Sequence, residues 1–205
     1  GVDLEIGEGA YLGIIGQNGS GKTTLVKHLN GLLRPTEGQV LVFGVDTRRA
    51  SVGELARSVG YVFQNPDHQI FCGTTREEIA FGPRNLGLAP EVVRDRVEDA
   101  LAAFDLAPYA ELPPAVLGYG LRRKVSLAAV YAMRPRLLIL DEPTAGLDQR
   151  SADELMDRIA AMHRAGHSIV LVSHDMQLVA AHCRQVVVMD QGRVLVQGPP
   201  GFVFQ

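Results

Sequence analysis

Residues Gly16, Gln17, Asn18, Gly19, Ser20, Gly21, Lys22, Thr23 and Thr24 follow directly on the apolar run Tyr11–Ile15. This is the pattern G-x-x-x-x-G-K-[ST] in the setting it requires, a strand entering a helix. It constrains the fold because the glycines must let the backbone turn its N–H groups inward around phosphate. Lys22 then carries a point charge to the outer phosphates, and the Thr23 hydroxyl is placed to ligand Mg²⁺. The helix expected to start near Lys22 aims its positive end at the same anion. A nucleotide site spanning Gly16–Thr24 is therefore the first expectation.

The chain's 205 residues fit one sizeable domain. With 46% hydrophobic and 21% charged residues, a packed globular core is expected. Apolar stretches such as Leu137–Leu140 and Ile169–Val172 are too short to span a bilayer. The two cysteines, Cys72 and Cys183, have no metal-type spacing and read as free thiols. A net charge of -3 argues against a broad nucleic-acid surface, so no nucleic-acid partner is expected.

Short strands are read at Val40–Phe43 and Tyr61–Phe63 from their β-branched and aromatic content. A polar stretch punctuated by Gly and Pro runs from Asn65 to about Leu88. Pro90 opens a helix with Val93, Val97, Leu101 and Phe104 on one face. A further helix is expected at about Arg122–Met133 and another over Asp153–Arg164. Leu137–Leu140, Ile169–Val172 and Val186–Met189 read as buried strands. Gln191-Gly192 reads as a hairpin turn into Val194–Val196. The pattern gives an α/β fold with a mainly parallel sheet, core at about residues 1–66 and 135–205, interrupted by a helical insert at about 67–134. Ligand is expected at the carboxyl ends of the strands.

Leu137–Leu140 runs into Asp141 and Glu142, two acids at the end of a buried strand. Asp141 suits Mg²⁺ held through water opposite Thr23, and Glu142 suits polarising an attacking water. At this point the chain resembles the ATP-binding-cassette (ABC) ATPases. Asp141-Glu142-Pro143-Thr144-Ala145-Gly146-Leu147-Asp148 is similar to the Walker B motif running into the D-loop. Val172-Ser173-His174-Asp175 resembles the switch-histidine segment, and Tyr61–Pro66 the Q-loop. The resemblance implies a RecA-like P-loop NTPase fold, ATP and Mg²⁺ as ligands, and a single cassette domain over residues 1–205. It implies catalytic roles for Lys22, Gln64, Glu142 and His174. Gln64 would also ligand the metal, with Thr23 and Asp141. Asp148 would face a second cassette, closing head to tail around two ATP molecules.

Asn65–Phe71 and Glu77–Leu88 look like the cassettes of energy-coupling-factor importers, which include cobalt and nickel uptake ATPases and vitamin importers. That resemblance implies a transmembrane coupling protein, a substrate-binding membrane protein, and a peripheral place on the cytoplasmic face of the cell membrane. The substrate stays open among cobalt, nickel and vitamins.

One segment departs from the pattern. Where relatives have Leu-Ser-Gly-Gly-Gln, this chain has Leu117-Gly118-Tyr119-Gly120-Leu121. In a closed dimer this segment would meet the γ-phosphate held by the other subunit. The N–H of Gly120 and a helix N-terminus remain; the serine hydroxyl does not. A hydrogen bond to a charged group is worth about 1.5–3 kcal/mol, so closure or turnover at that site would weaken by about 10- to 100-fold. A heterodimer with a different, intact cassette is therefore expected, although a homodimer with retained backbone donors is the other reading. The N-terminal strands that carry an adenine-stacking aromatic, and a C-terminal extension, are expected to be absent from this stretch of chain. Tyr11 is too close to the loop to take the stacking role. Two alternative readings are a regulatory, low-turnover ATP-binding subunit and a soluble cassette ATPase outside transport.

Overall fold

The computed structural model describes residues 1–204. Its frame is a six-stranded sheet in the order β4-β5-β6-β1-β7-β8. The strands are β1 (Tyr11–Ile15), β4 (Val59–Val62), β5 (Leu137–Asp141), β6 (Ser168–Val172), β7 (Gln185–Asp190) and β8 (Arg193–Gly198). All neighbours pair in parallel except β7 and β8, which form an antiparallel hairpin. Its turn residues Gln191 and Gly192 both have positive φ, 45° and 74°, the conformation that matches the twist of tight hairpins. β2 (Leu41–Val42) and β3 (Val45–Asp46) form a separate two-stranded ribbon.

Alternation along the buried strands creates two cores. Tyr11, Ile15, Leu138 and Leu140 face one layer, where they meet the long helices. Leu12, Ile14, Leu137 and Ile139 face the other, with Val26 of helix α1 (Lys22–Leu29) and the small ribbon. Both faces of the central strands are covered, so their sequences read as unbroken apolar runs.

Between β4 and β5 lie the three largest helices of the intervening segment: α3 (Thr75–Asn85), α4 (Pro90–Ala103) and α5 (Tyr119–Tyr131). A short helix, α2 (Val52–Leu55), precedes β4. After β5 come α6 (Gln149–Arg164), α7 (Met176–His182) and α8 (Pro200–Val203).

Several boundaries move from the sequence expectation. The polar stretch Asn65–Leu88 contains α3. Thr74 caps it reciprocally with Glu77, and it continues through the buried Pro83. Gly82 and Pro83 read as breakers in sequence, yet Gly82 permits close packing on Met133 of the neighbouring turn. α5 begins at Tyr119 rather than Arg122, with Gly118 in the N-cap position and no side-chain cap. α6 begins at Gln149, four residues earlier than expected, because Asp148 accepts the Ser151 N–H at 2.9 Å and starts it. The expected strand Val40–Phe43 shortens to β2, since Phe43 (φ 49°) and Gly44 (φ 82°) turn the ribbon. The strand expected at Tyr61–Phe63 is β4, ending at Val62.

Candidate active site

β1 leads straight into the glycine-rich loop, and the loop into α1. At Gly16, a Cβ would lie 2.2 Å from the Met189 carbonyl oxygen on β7, so only glycine lets the loop leave the sheet there. Gly21 is the N-cap of α1 with no side-chain cap bond, and the first turn of α1 has no acidic residue. Its N–H groups and dipole are thus available to an anion. Lys22 is buried, and its ammonium donates to the carbonyls of Gly16 (2.7 Å) and Gln17 (3.0 Å).

These groups line a cleft of about 520 Å³. Gln17, Asn18, Gly19, Thr23 and Thr24 line it as well, and Gln64, Asp141, Glu142 and His174 close it from the neighbouring strand ends. Ser20 departs from the expectation for its loop. It does not line the cleft; its N–H is taken by the Gln17 carbonyl at 3.1 Å, and its buried hydroxyl is turned back beside Gly16.

Parallel pairing of β4, β5 and β6 brings the acids to this cleft. The Thr23 hydroxyl donates to Asp141 Oδ2 at 3.0 Å, and the Tyr61 hydroxyl donates to the same oxygen at 2.8 Å. Burial, and after it the adjacent Asp141 carboxylate, push the Tyr61 phenol upward, so it stays a donor throughout the neutral range. The sequence alone gives Tyr61 no chemical role. Its link to Asp141 follows from the pairing of β4 with β5, in which Tyr61 lies opposite Ile139.

Glu142 follows β5 with φ 49°, the left-handed region that is rare for a side chain with a Cβ. Its N–H donates to Val172 O at 2.9 Å, and its carbonyl accepts from Arg123 Nη2 at 3.1 Å. The carboxylate is held at both oxygens: His174 Nδ1 lies 2.9 Å from Oε1, and Ser173 Oγ donates to Oε2 at 3.3 Å. Glu142 is 7% exposed, whereas His174 stands open at the rim. A carboxylate fixed by two partners and shielded from bulk solvent is placed to accept a proton from water.

The residues fit Mg²⁺ shared with phosphate. Thr23 and Asp141 present hard oxygen donors 3.0 Å apart, with Gln64 lining the same cleft. Among the described residues no cluster of three or more His, Cys, Asp or Glu could cage a metal alone. Mg²⁺ suits such a site, taking few protein ligands and completing its shell with phosphate and water.

Gly118, Tyr119, Gly120 and Asp148 lie outside this cleft. The Tyr119 ring packs against Gly146, and Gly120 lies beside Leu147. Tyr11 is buried with its ring 5.1 Å from that of His163, away from the cleft lining.

Residues 1–145 match the family described as ABC transporter. The energy-coupling factor transporter ATP-binding protein EcfA2 of Symbiobacterium thermophilum is 48% identical over 206 residues, covering 99% of this chain and 72% of the relative. EcfA of Methanocaldococcus jannaschii is 41% identical over 206 residues, covering 100% and 74%. An ABC transporter ATP-binding protein of Caldanaerobacter subterraneus is 44% identical, but the chain spans only 36% of its length. Among solved structures, cbiO1 of Clostridium perfringens, part of the ABC transporter complex cbiONQ, superposes with a TM-score of 0.89 at 37% identity, covering 98% of this chain and 81% of that one. A dimeric ATP-binding cassette in a post-hydrolysis state with ADP and Pi gives a TM-score of 0.86 at 26% identity, covering 97% and 89%. A loop built for phosphate, two acids and a histidine at adjacent strand ends, and these likenesses agree: the chain belongs to the ABC transporter family and carries that family's ATPase cassette.

Proposed function

We propose that this cassette powers a membrane importer of small solutes, cobalt or nickel ions or vitamins, by ATP-driven closure against a second cassette. The observation that carries the hydrolytic reading is the Glu142 carboxylate, gripped by His174 and Ser173 beside the Thr23–Asp141 pair. Glu142 takes the proton of the attacking water. Lys22, the loop N–H groups and the α1 N-terminus stabilise charge on the transferred phosphoryl group. His174 orients Glu142 from the rim, and Gln64 reaches the same cleft. Thr23, Asp141 and Gln64 would hold Mg²⁺, which when bound would supply neutralisation of phosphate charge.

The relatives named for energy-coupling factor transporters and the cbiONQ component support the importer reading. Among the described residues no helix is long and apolar enough to cross a membrane. The partners proposed are a transmembrane coupling protein and a substrate-binding membrane protein, with the cassette at the cytoplasmic face. The second cassette is proposed to be a different chain, because the N-cap of α5 is Gly118 and offers no hydroxyl. The same feature favours a low-turnover regulatory subunit as the second reading.

Steady-state ATP hydrolysis, measured alone and with candidate cassettes, tests both. Near-silence alone and activity with a partner carrying Leu-Ser-Gly-Gly-Gln, abolished by Glu142→Gln, supports the heterodimer. Rapid turnover alone removes the need for a different partner. Silence in every mixture supports the regulatory reading.

A further inference from the structure

Arg123 is 0% exposed. It lies in the first two turns of α5, and its guanidinium reaches the ends of two adjacent strands. Nη1 donates to Phe63 O at 2.6 Å; Nη2 donates to Gln64 O and, at 3.1 Å, to Glu142 O. The Tyr119 hydroxyl is 3.5 Å from Nη2, and its ring centroid is 5.8 Å from the guanidinium carbon. One side chain thus touches the segment holding Gln64, the left-handed turn holding Glu142, and the helix start that carries Tyr119.

A buried cation without a direct carboxylate partner is costly to keep. Desolvation lowers the Arg123 affinity for its proton, offset in part by Tyr119 and by the nearby Asp141 and Glu142 carboxylates. A purely apolar side chain would fill this space without that cost but would leave the Phe63 and Gln64 carbonyls unpaired and the Glu142 carbonyl with the Ala145 N–H alone, at 3.2 Å. Lysine presents one point charge, whereas the planar fork meets several acceptors at once. The Gln64 segment has a second brace on the same helix. Gln69 accepts the Phe63 N–H at 3.3 Å and donates to Ser126 O at 3.0 Å.

We propose that Arg123 is a positioning residue that locks the backbone of Gln64 and Glu142 to the start of α5, so that movement at Tyr119 is passed to the hydrolytic carboxylate. This deepens, and rests on, the ATPase reading above. Arg123 does not line the cleft. Its loss acts on the placement of Glu142 rather than on the grip of the phosphate loop.

The test is Arg123→Lys in the full chain, with Arg123→Gln as a second variant. Hydrogen exchange by mass spectrometry is followed over residues 63–66 and 142–145, with α1 and β6 as internal references. ATP turnover is measured with the cassette partner that activates the wild-type chain. Faster exchange confined to those two segments, a kcat lowered at least tenfold and a KM for ATP within twofold support the proposal. Wild-type exchange and kcat in Arg123→Lys overturn it. Exchange rising equally in the references, or failure of both variants to fold, assigns Arg123 to the core alone and also overturns it. Absence of turnover in the wild-type protein counts against the ATPase reading, while the exchange pattern still decides the role of Arg123.

Discussion

His174 Nδ1 lies 2.9 Å from Glu142 Oε1, joining the end of β6 to the end of β5 across one cleft. The contact fixes the carboxylate on the side away from Ser173, which holds the other oxygen. Glu142→Gln keeps the shape and removes the base. General-base catalysis contributes about 10²–10⁴-fold, so kcat is expected to fall by that order while the affinity for a fluorescent ATP analogue stays within a few-fold. His174→Ala is expected to lower kcat less, since Ser173 still holds Oε2.

Tyr61→Phe removes a donor from the buried Asp141 carboxylate. A hydrogen bond to a charged group is worth about 1.5–3 kcal/mol, and the loss should appear in thermal unfolding. Thr23 remains bonded to the same oxygen, so MgATP binding is expected to weaken rather than vanish. A Mg²⁺ titration of ATP binding separates the two effects.

Gly118→Ser restores both a helix cap and a hydroxyl. Nothing lies within 4 Å of a Cβ built there, so the side chain fits. A glycine N-cap is only a few tenths of a kcal/mol poorer than serine, so Tm should rise slightly. Turnover in the paired cassette should rise by about 10- to 100-fold if the hydroxyl reaches the partner's phosphate. An unchanged rate in the mixed dimer would show that the backbone donors suffice.

Gly16→Ala is expected to be severe. Its Cβ would meet Met189 O at 2.2 Å, and that oxygen belongs to sheet backbone. The loop cannot yield without displacing β7, so ATP binding should be lost and the Tm lowered, readable by analogue fluorescence and calorimetry.

Alkaline pH should destabilise the fold through Cys183. Burial pushes this thiol up to about 12 from its ordinary value of 9.0. Between those values the unfolded chain loses the proton that the folded chain retains, so stability falls as pH rises. Well below pH 9 both states keep the proton and the contribution is constant. Thermal unfolding from pH 8 to 11 should show a decline that is shallower in Cys183→Ala, with Cys72 left in place.

The phosphate loop, the Asp141–Glu142 pair and the buried strands were legible in sequence because each is local. Spacing and apolar runs encode a loop that must close and strands that must be covered. His174 and Gln64 were legible through resemblance, as short segments in a fixed order. α3 was hidden because Gly82 and Pro83 look like breakers, and only its packing on Met133 and its Thr74–Glu77 cap outweigh them. The early starts of α5 and α6 were hidden for a related reason: Gly118 and Asp148 become N-caps only when the chain direction at that point is known.

The chain's sequence by itself determined the ligand class and the order of the segments that line its cleft. Tertiary structure alone decided that Ser20 turns away from the cleft, that Tyr61 holds Asp141, and that Arg123 ties Gln64 to Glu142. The reason is physical. Parallel pairing sets Tyr61 and Asp141, 80 residues apart in sequence, within 2.8 Å, and no periodicity along the chain records which strand ends will become neighbours.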